Sequence, residues 1–296
     1  MSPAEMWDFF YIKKSFMKRV AIQGIAGSFH DIAAREYFDN EEIEIVPCET
    51  FSKVFQAMKS DSSLISLVAI ENTIAGSLLQ NHQLLKNSGL RIAGEHKLRI
   101  KHNLVALHGQ ELNEIKEVYS HPIALMQCGE FLNENKGIKA IEYDDTASSA
   151  KMISELNEKG KAAICGEEAA SIYGLDILAK GIETNKRNFT RFLVLADPWL
   201  VEDLNRTRTP NKATLAFVLP HEEGSLAQIL SILSYYKMNL TKIQSMPIIG
   251  HEWEYEFFID LRFNNYLRYK QSLDAIEPLT KGLTILGEYE EGRQTL

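Results

Sequence analysis

Four stretches of this 296-residue chain crowd small and hydroxyl residues where an extended segment gives way to a helix. They are Gly24-Ile25-Ala26-Gly27-Ser28, Glu71-Asn72-Thr73-Ile74-Ala75-Gly76-Ser77, Ser120-His121-Pro122 and Asp145-Thr146-Ala147-Ser148-Ser149. Small residues let backbone N–H groups approach a ligand, and helix N-termini favour negative charge. Ser, Thr, Asp and Pro at a helix start are also ordinary caps, so one such stretch says little. Four together point to a site for an anionic small molecule. Downstream, Thr190-Arg191 sets a hydroxyl beside a guanidinium that could fork onto a carboxylate, although an Arg at a strand start is more simply a solvated charge. His30 could act as a base but reads more simply as a polar residue on a surface helix.

Other chemistries lack their signatures. Gly24-x-x-Gly27 is not a dinucleotide fingerprint, and no phosphate-binding GxxxxGK[ST] loop occurs. There is no HExxH, the eight histidines lack ligand spacing, and no GxSxG elbow is present. No metal or cofactor is expected. A net charge of −8 without a basic tract is a poor prior for nucleic acid or an anionic membrane. No apolar run approaches the ~20 residues of a membrane span. Cys48, Cys128 and Cys165 form no CxxC pair and read as buried free thiols, which suits a reducing cytoplasm. Trp7 to Ile12 is too short and badly flanked for an export signal. The sequons at Asn188, Asn205 and Asn239 are then incidental.

The elements that must hold these residues follow a βαβα rhythm from Val20 to Leu195, which predicts a mainly parallel sheet with helices on both faces. Its ~180 residues suit two small α/β lobes. Residues 1–18 precede the first convincing strand and read as an extension. A polar linker is expected over 201–212. Beyond it the pattern is strand, helix, two strands, helix, strand, the βαββαβ order of a ferredoxin-like domain.

The ordered set of motifs resembles prephenate dehydratase. It comprises Gly24-Ile25-Ala26-Gly27-Ser28-Phe29, Ile70-Glu71-Asn72-Thr73 through Ser77, Ser120-His121-Pro122 with Ala124, Gln127 and Cys128, Asp145-Thr146-Ala147, and Asn188-Phe189-Thr190-Arg191-Phe192. The C-terminal part resembles an ACT domain, the family's phenylalanine sensor. The resemblance implies a two-lobed doubly wound catalytic domain over 19–200, similar to type II periplasmic binding proteins, and an ACT domain over 213–296. It implies a lyase of phenylalanine biosynthesis that turns prephenate into phenylpyruvate, carbon dioxide and water without a cofactor. Thr190, Arg191 and Phe192 would be catalytic, with Thr190 the proton donor or hydrogen-bond partner to the leaving group and Arg191 a carboxylate clamp. Gly27, Ser28, Asn72, Thr73, Gly76, Ser77, Ser120, Gln127 and Thr146 would contact substrate, while Glu71 would be structural because it would repel a dianion. Gly224, Ser225, Leu226, Asn239, Leu240 and Ser245 would bind phenylalanine, and ACT pairing implies a homodimer or homotetramer. The chain departs from the family at His30, usually Ser or Thr, and at Ile123, usually Gln. In the sensor, Gln244 replaces the usual Glu and Met246 the usual Arg, which predicts weak feedback. Arogenate dehydratase remains an alternative within the class, and a non-catalytic amino-acid or aromatic-acid sensor is an alternative outside it.

Overall fold

The computed structural model describes residues 17–39, 41–292 and 294. The extension expected at 1–18 therefore lies almost wholly outside the described residues. Among the described residues three sheets organise the chain, two around a cleft and one behind it.

The first lobe opens with β1 (Lys18–Gln23), α1 (Phe29–Tyr37), β2 (Ile43–Cys48), α2 (Phe51–Ser60) and β3 (Ile65–Asn72). A tight turn leads to the short β4 (Gly76–Ser77), then α3 (Leu79–Ser88) and β5 (Arg91–Arg99). The chain crosses to the second lobe for β6 (Asn103–Ala106), β7 (Glu117–Ser120), α4 (Pro122–Gln127), α5 (Gly129–Glu134), β8 (Lys139–Glu142), α6 (Thr146–Leu156), β9 (Lys161–Cys165), α7 (Glu167–Ile172) and β10 (Asp176–Ala179). It then returns as β11 (Phe189–Ala196), which inserts between β3 and β5 in the order β2-β1-β3-β11-β5. The second sheet runs β10-β6-β9-β7-β8.

The expected mainly parallel sheets are mixed. β1 pairs parallel with β2 and β3, and β7 with β8 and β9. β11 runs antiparallel to both its neighbours, as β6 does to β9 and β10. The cause is the crossing between lobes: a strand that returns from the far lobe enters its sheet in the opposite sense. The helical stretch that starts at Pro122 breaks at Cys128, and the sequence pattern did not mark β5 or β10 as strands.

After β11 come α8 (Pro198–Leu204), β12 (Lys212–Val218), α9 (Ser225–Tyr235), β13 (Asn239–Pro247), β14 (Tyr255–Arg262), α10 (Tyr266–Ile276) and β15 (Lys281–Tyr289). The linker expected over 201–212 is thus helical at its start, where Pro198 occupies the first turn and Asp197 accepts from the Trp199 amide. The third sheet is antiparallel, in the ferredoxin-like order β13-β14-β12-β15. It packs on the back of the first lobe. Ala216, Phe258, Leu286 and Tyr289 share one buried core with Ile92, Leu193 and Leu195. A Cβ on Gly287 would come within 2.5 Å of the Ile92 carbonyl oxygen, so β15 meets β5 at glycine contact.

Candidate active site

The cleft between the lobes encloses about 340 Å³. Its floor is where the chain crosses, at Ile100, His102, Thr190 and Phe192. The helices α1, α2, α4 and α6 present their first turns to it, through Ser28, Phe51, His121 and Thr146. Each start is a capped junction. Ser28 Oγ accepts from the Asp31 amide, Thr50 Oγ1 from Lys53, His121 Nδ1 from Ile123, and Asp145 from Ala147 and Ser148. The residues that make good caps therefore also bring four positive dipole ends to one space.

At the floor, polar side chains form a wired set. Asn72 Oδ1 accepts from the amides of Ile74 (2.9 Å) and Ala75 (2.8 Å), which fixes the carboxamide. Its Nδ2 donates to Thr190 Oγ1 at 2.9 Å and to Asn188 Oδ1 at 2.8 Å. Gln127 Nε2 donates to Asn72 Oδ1 at 3.3 Å, and Gln127 Oε1 accepts from Asn188 Nδ2 (2.9 Å) and from His102 Nε2 (2.8 Å). Thr190 and Asn72 are also paired in the β11–β3 register. Because the Thr190 oxygen already accepts, its proton is left to donate elsewhere.

The cleft's imidazoles are held neutral. Burial drives His30 down to about 3, and burial also lowers His102 and His121 against the opposing pull of their neighbours. His30 Nε2 accepts from the Ala69 amide at 3.4 Å, so the proton of the neutral ring sits on Nδ1. The ring stands edge-on to Phe192, with centroids 4.9 Å apart. His30 was expected on a solvated surface; the structure sets it in the cleft wall. Among the described residues that line the cleft, none is a Lys or Arg.

Thr190, Phe192, Ser28, Asn72, Gly76, Ser77, Gln127 and Thr146 line the cleft. Arg191 does not. In a strand neighbouring side chains face opposite ways, and the guanidinium points to the back of the sheet. There its Nε donates to Glu95 at 2.6 Å, and its terminal nitrogens reach Glu71 (3.1 Å), Asp260 and the Tyr289 hydroxyl (3.1 Å). It cannot clamp a substrate carboxylate in the cleft, and that expectation is corrected. Gly27 is also away from the lining. It has φ +81°, donates its N–H to Asp31, and a Cβ there would lie 2.8 Å from Ala169 Cα, so it is a contact between the lobes. Ser120 is fully buried and ties β7 to the Ile164 carbonyl at 2.7 Å. Thr73 clips the turn after β3 to the returning chain at Arg187 and Phe189.

His102 and Asn188 were not among the expected site residues. Asn188 was noted as a sequon and as the first residue of the Thr190 motif but was given no role, and it is fully buried at the cleft floor. Its place directly before the Phe189-Thr190 pair was the available signal. His102 offered none beyond starting a strand.

A prephenate dehydratase profile matches residues 20–198. The chain belongs to the prephenate dehydratase family. It is an enzyme of that family, a lyase of phenylalanine biosynthesis. A chloroplastic arogenate dehydratase/prephenate dehydratase 2 from Arabidopsis thaliana is 36% identical over 281 residues, covering 92% of this chain and 72% of the relative. Among solved structures, a protein described as a quorum quenching acylase, GqqA, matches at TM-score 0.81 and 27% identity, over 93% of this chain and 98% of its own. The Arthrobacter aurescens prephenate dehydratase, solved in complex with L-Phe, matches at TM-score 0.81 and 24% identity, over 94% and 92%. One fold thus carries differently described activities, and the residues of the cleft must decide among them.

Proposed function

We propose that the cleft converts prephenate to phenylpyruvate, carbon dioxide and water, with Thr190 as proton donor to the departing hydroxyl. The observation that carries this is the Asn72-to-Thr190 hydrogen bond. Asn72 is locked by two backbone amides and Gln127, so it supports Thr190 Oγ1 as an acceptor and leaves the hydroxyl proton for the leaving group. A threonine is a weak acid, and the fixed amide dipole behind it stabilises the charge that builds on its oxygen as the proton moves. The two carboxylates of the substrate meet helix N-termini and neutral donors such as Ser28 and Thr146. Loss of the ring carboxylate and of the hydroxyl aromatises the ring, which supplies the driving force. A pure binder would have no use for so constrained a hydroxyl.

Further parts of the reading concern control and assembly. The βαββαβ domain is taken as an ACT sensor of phenylalanine. Gly224 (φ +80°) turns into α9 at Ser225 and Leu226, while Asn239, Leu240 and Ser245 lie on the edge strand β13. That free edge suits side-by-side pairing into a homodimer or homotetramer. The free thiols support a cytoplasmic setting.

The test is to incubate the full chain with prephenate and, separately, with arogenate, and to follow phenylpyruvate absorbance and phenylalanine release. Faster turnover of prephenate is expected. Preference for arogenate would assign the alternative substrate, and turnover of neither would remove the catalytic reading.

A further inference from the structure

Behind the cleft, a cluster of charged side chains meets in the seam between the first lobe and the C-terminal domain. Three cations, Arg191, Lys212 and Lys242, face three carboxylates, Glu71, Glu95 and Asp260. Burial alone would raise the Glu71 carboxyl, but Arg191 and Lys242 outweigh it and hold it below its ordinary range. Lys242 stands on β13, and its side chain is only 8% exposed. Its ammonium donates to Glu71 at 2.6 Å and to Ser77 Oγ at 3.1 Å. Glu71 and Ser77 face each other across β3 and β4. Between them runs the turn that carries Asn72, whose Oδ1 holds the Ile74 and Ala75 amides.

We propose that Lys242 is a positioning residue for the reaction: from the C-terminal domain it ties together both ends of the turn that carries Asn72. Arg191 supports the same arrangement from the neighbouring strand. Glu71 and Arg191 are paired in register, one residue along from the Asn72–Thr190 pair on the cleft face. The back of the sheet thus sets the geometry of the front. β13 also carries Asn239, Leu240 and Ser245, so an effector that moved this strand would reach Asn72 through Lys242. The proposal rests on the reading of the cleft as the dehydratase site.

Two measurements on the full chain test it. The first is steady-state turnover of prephenate by Lys242→Met and Lys242→Arg. Small misplacements of a positioning group cost up to about 100-fold in rate, so Lys242→Met should lose roughly 10-fold or more in kcat with KM within about twofold. Lys242→Arg, which keeps a charged donor, should recover most of it. Adding Glu71→Gln to Lys242→Met should cost little more, since both cut one link. The second is amide hydrogen exchange over 73–77, which needs no turnover. Protection there should fall about 10-fold in Lys242→Met and return in Lys242→Arg. Unchanged exchange in Lys242→Met would overturn the proposal even if the enzyme were inactive on prephenate. Unchanged kcat in an active enzyme would overturn it as well, as would equal losses in both variants.

Discussion

The two faces of β11 divide the molecule's polar chemistry in opposite ways. On the cleft face, Thr190 and Phe192 look onto amides, hydroxyls and neutral imidazoles, with no Lys or Arg among the described lining residues. On the other face, Arg191 sits 6% exposed among carboxylates and a buried tyrosine. A fixed cation in the cleft would bind substrate and transition state alike, whereas dipoles aimed at a departing hydroxyl favour the transition state. Fixed charge instead fills the seam, where its partners are permanent.

The largest effect should come from the cleft face. Thr190→Ala removes the positioned donor and should lower kcat by ~10²–10⁴-fold, while Thr190→Ser keeps part of it. Steady-state kinetics on folded protein decides this, and near-normal turnover by the alanine variant would take Thr190 out of the mechanism.

Next is the seam. Arg191→Met leaves Glu95 and Asp260 short of a buried partner and should cost about 3–5 kcal/mol in urea unfolding. Arg191→Lys cannot reproduce the fork and should lose a fraction of that. In both, KM should stay near its starting value, because the guanidinium does not face the cleft. A large rise in KM at intact stability would move Arg191 back to the substrate.

The third effect is a pH dependence from the cleft wall. His30 stays neutral in the fold down to about 3, whereas the unfolded chain takes up its proton near 6.5. The folded state is therefore favoured above pH 6.5 and loses stability as the pH falls from there towards 3. Between pH 7 and 5 the loss from this residue is about 2 kcal/mol at most. Urea unfolding of His30→Gln should show a correspondingly shallower slope over that range, and an identical slope would mean the imidazole titrates normally. The smallest effect is expected at the contact between lobes. Gly27→Ala places a Cβ in left-handed backbone against Ala169 and should cost roughly 1–2 kcal/mol, with a rise in KM as the lobes are held apart.

Much of this was legible in the residues. Three of the four junctions became capped helix starts at one cleft, because the side chains that cap are the ones that place N–H groups there, whereas Glu71 to Ser77 became the turn between β3 and β4 and the capped start at Thr50 was not foreseen. The alternation of Thr190, Arg191 and Phe192 already implied opposite faces, and a two-residue period would have separated Arg191 from the cleft. β5 was illegible for a physical reason. Glu95, His96 and Lys97 look like a solvated stretch until the partners Arg191, Lys212 and Glu291 arrive from far along the chain. His30 was misread for a related reason: its neighbours Phe51 and Phe192 come from other elements.

The insertion of β11 between β3 and β5 also sets an order of events as the chain is made. The second lobe, from β6 to β10, is continuous and can fold as soon as it emerges. The first cannot complete its sheet until residue 196 is available, some 100 residues after β5, and its charged back face waits longer still for Lys212, Lys242 and Asp260. Such long-range pairing is slow and leaves a strand edge and apolar surface open in the interim. The first lobe is thus completed after the second, with its strand edge and apolar surface open to misassembly in the interim.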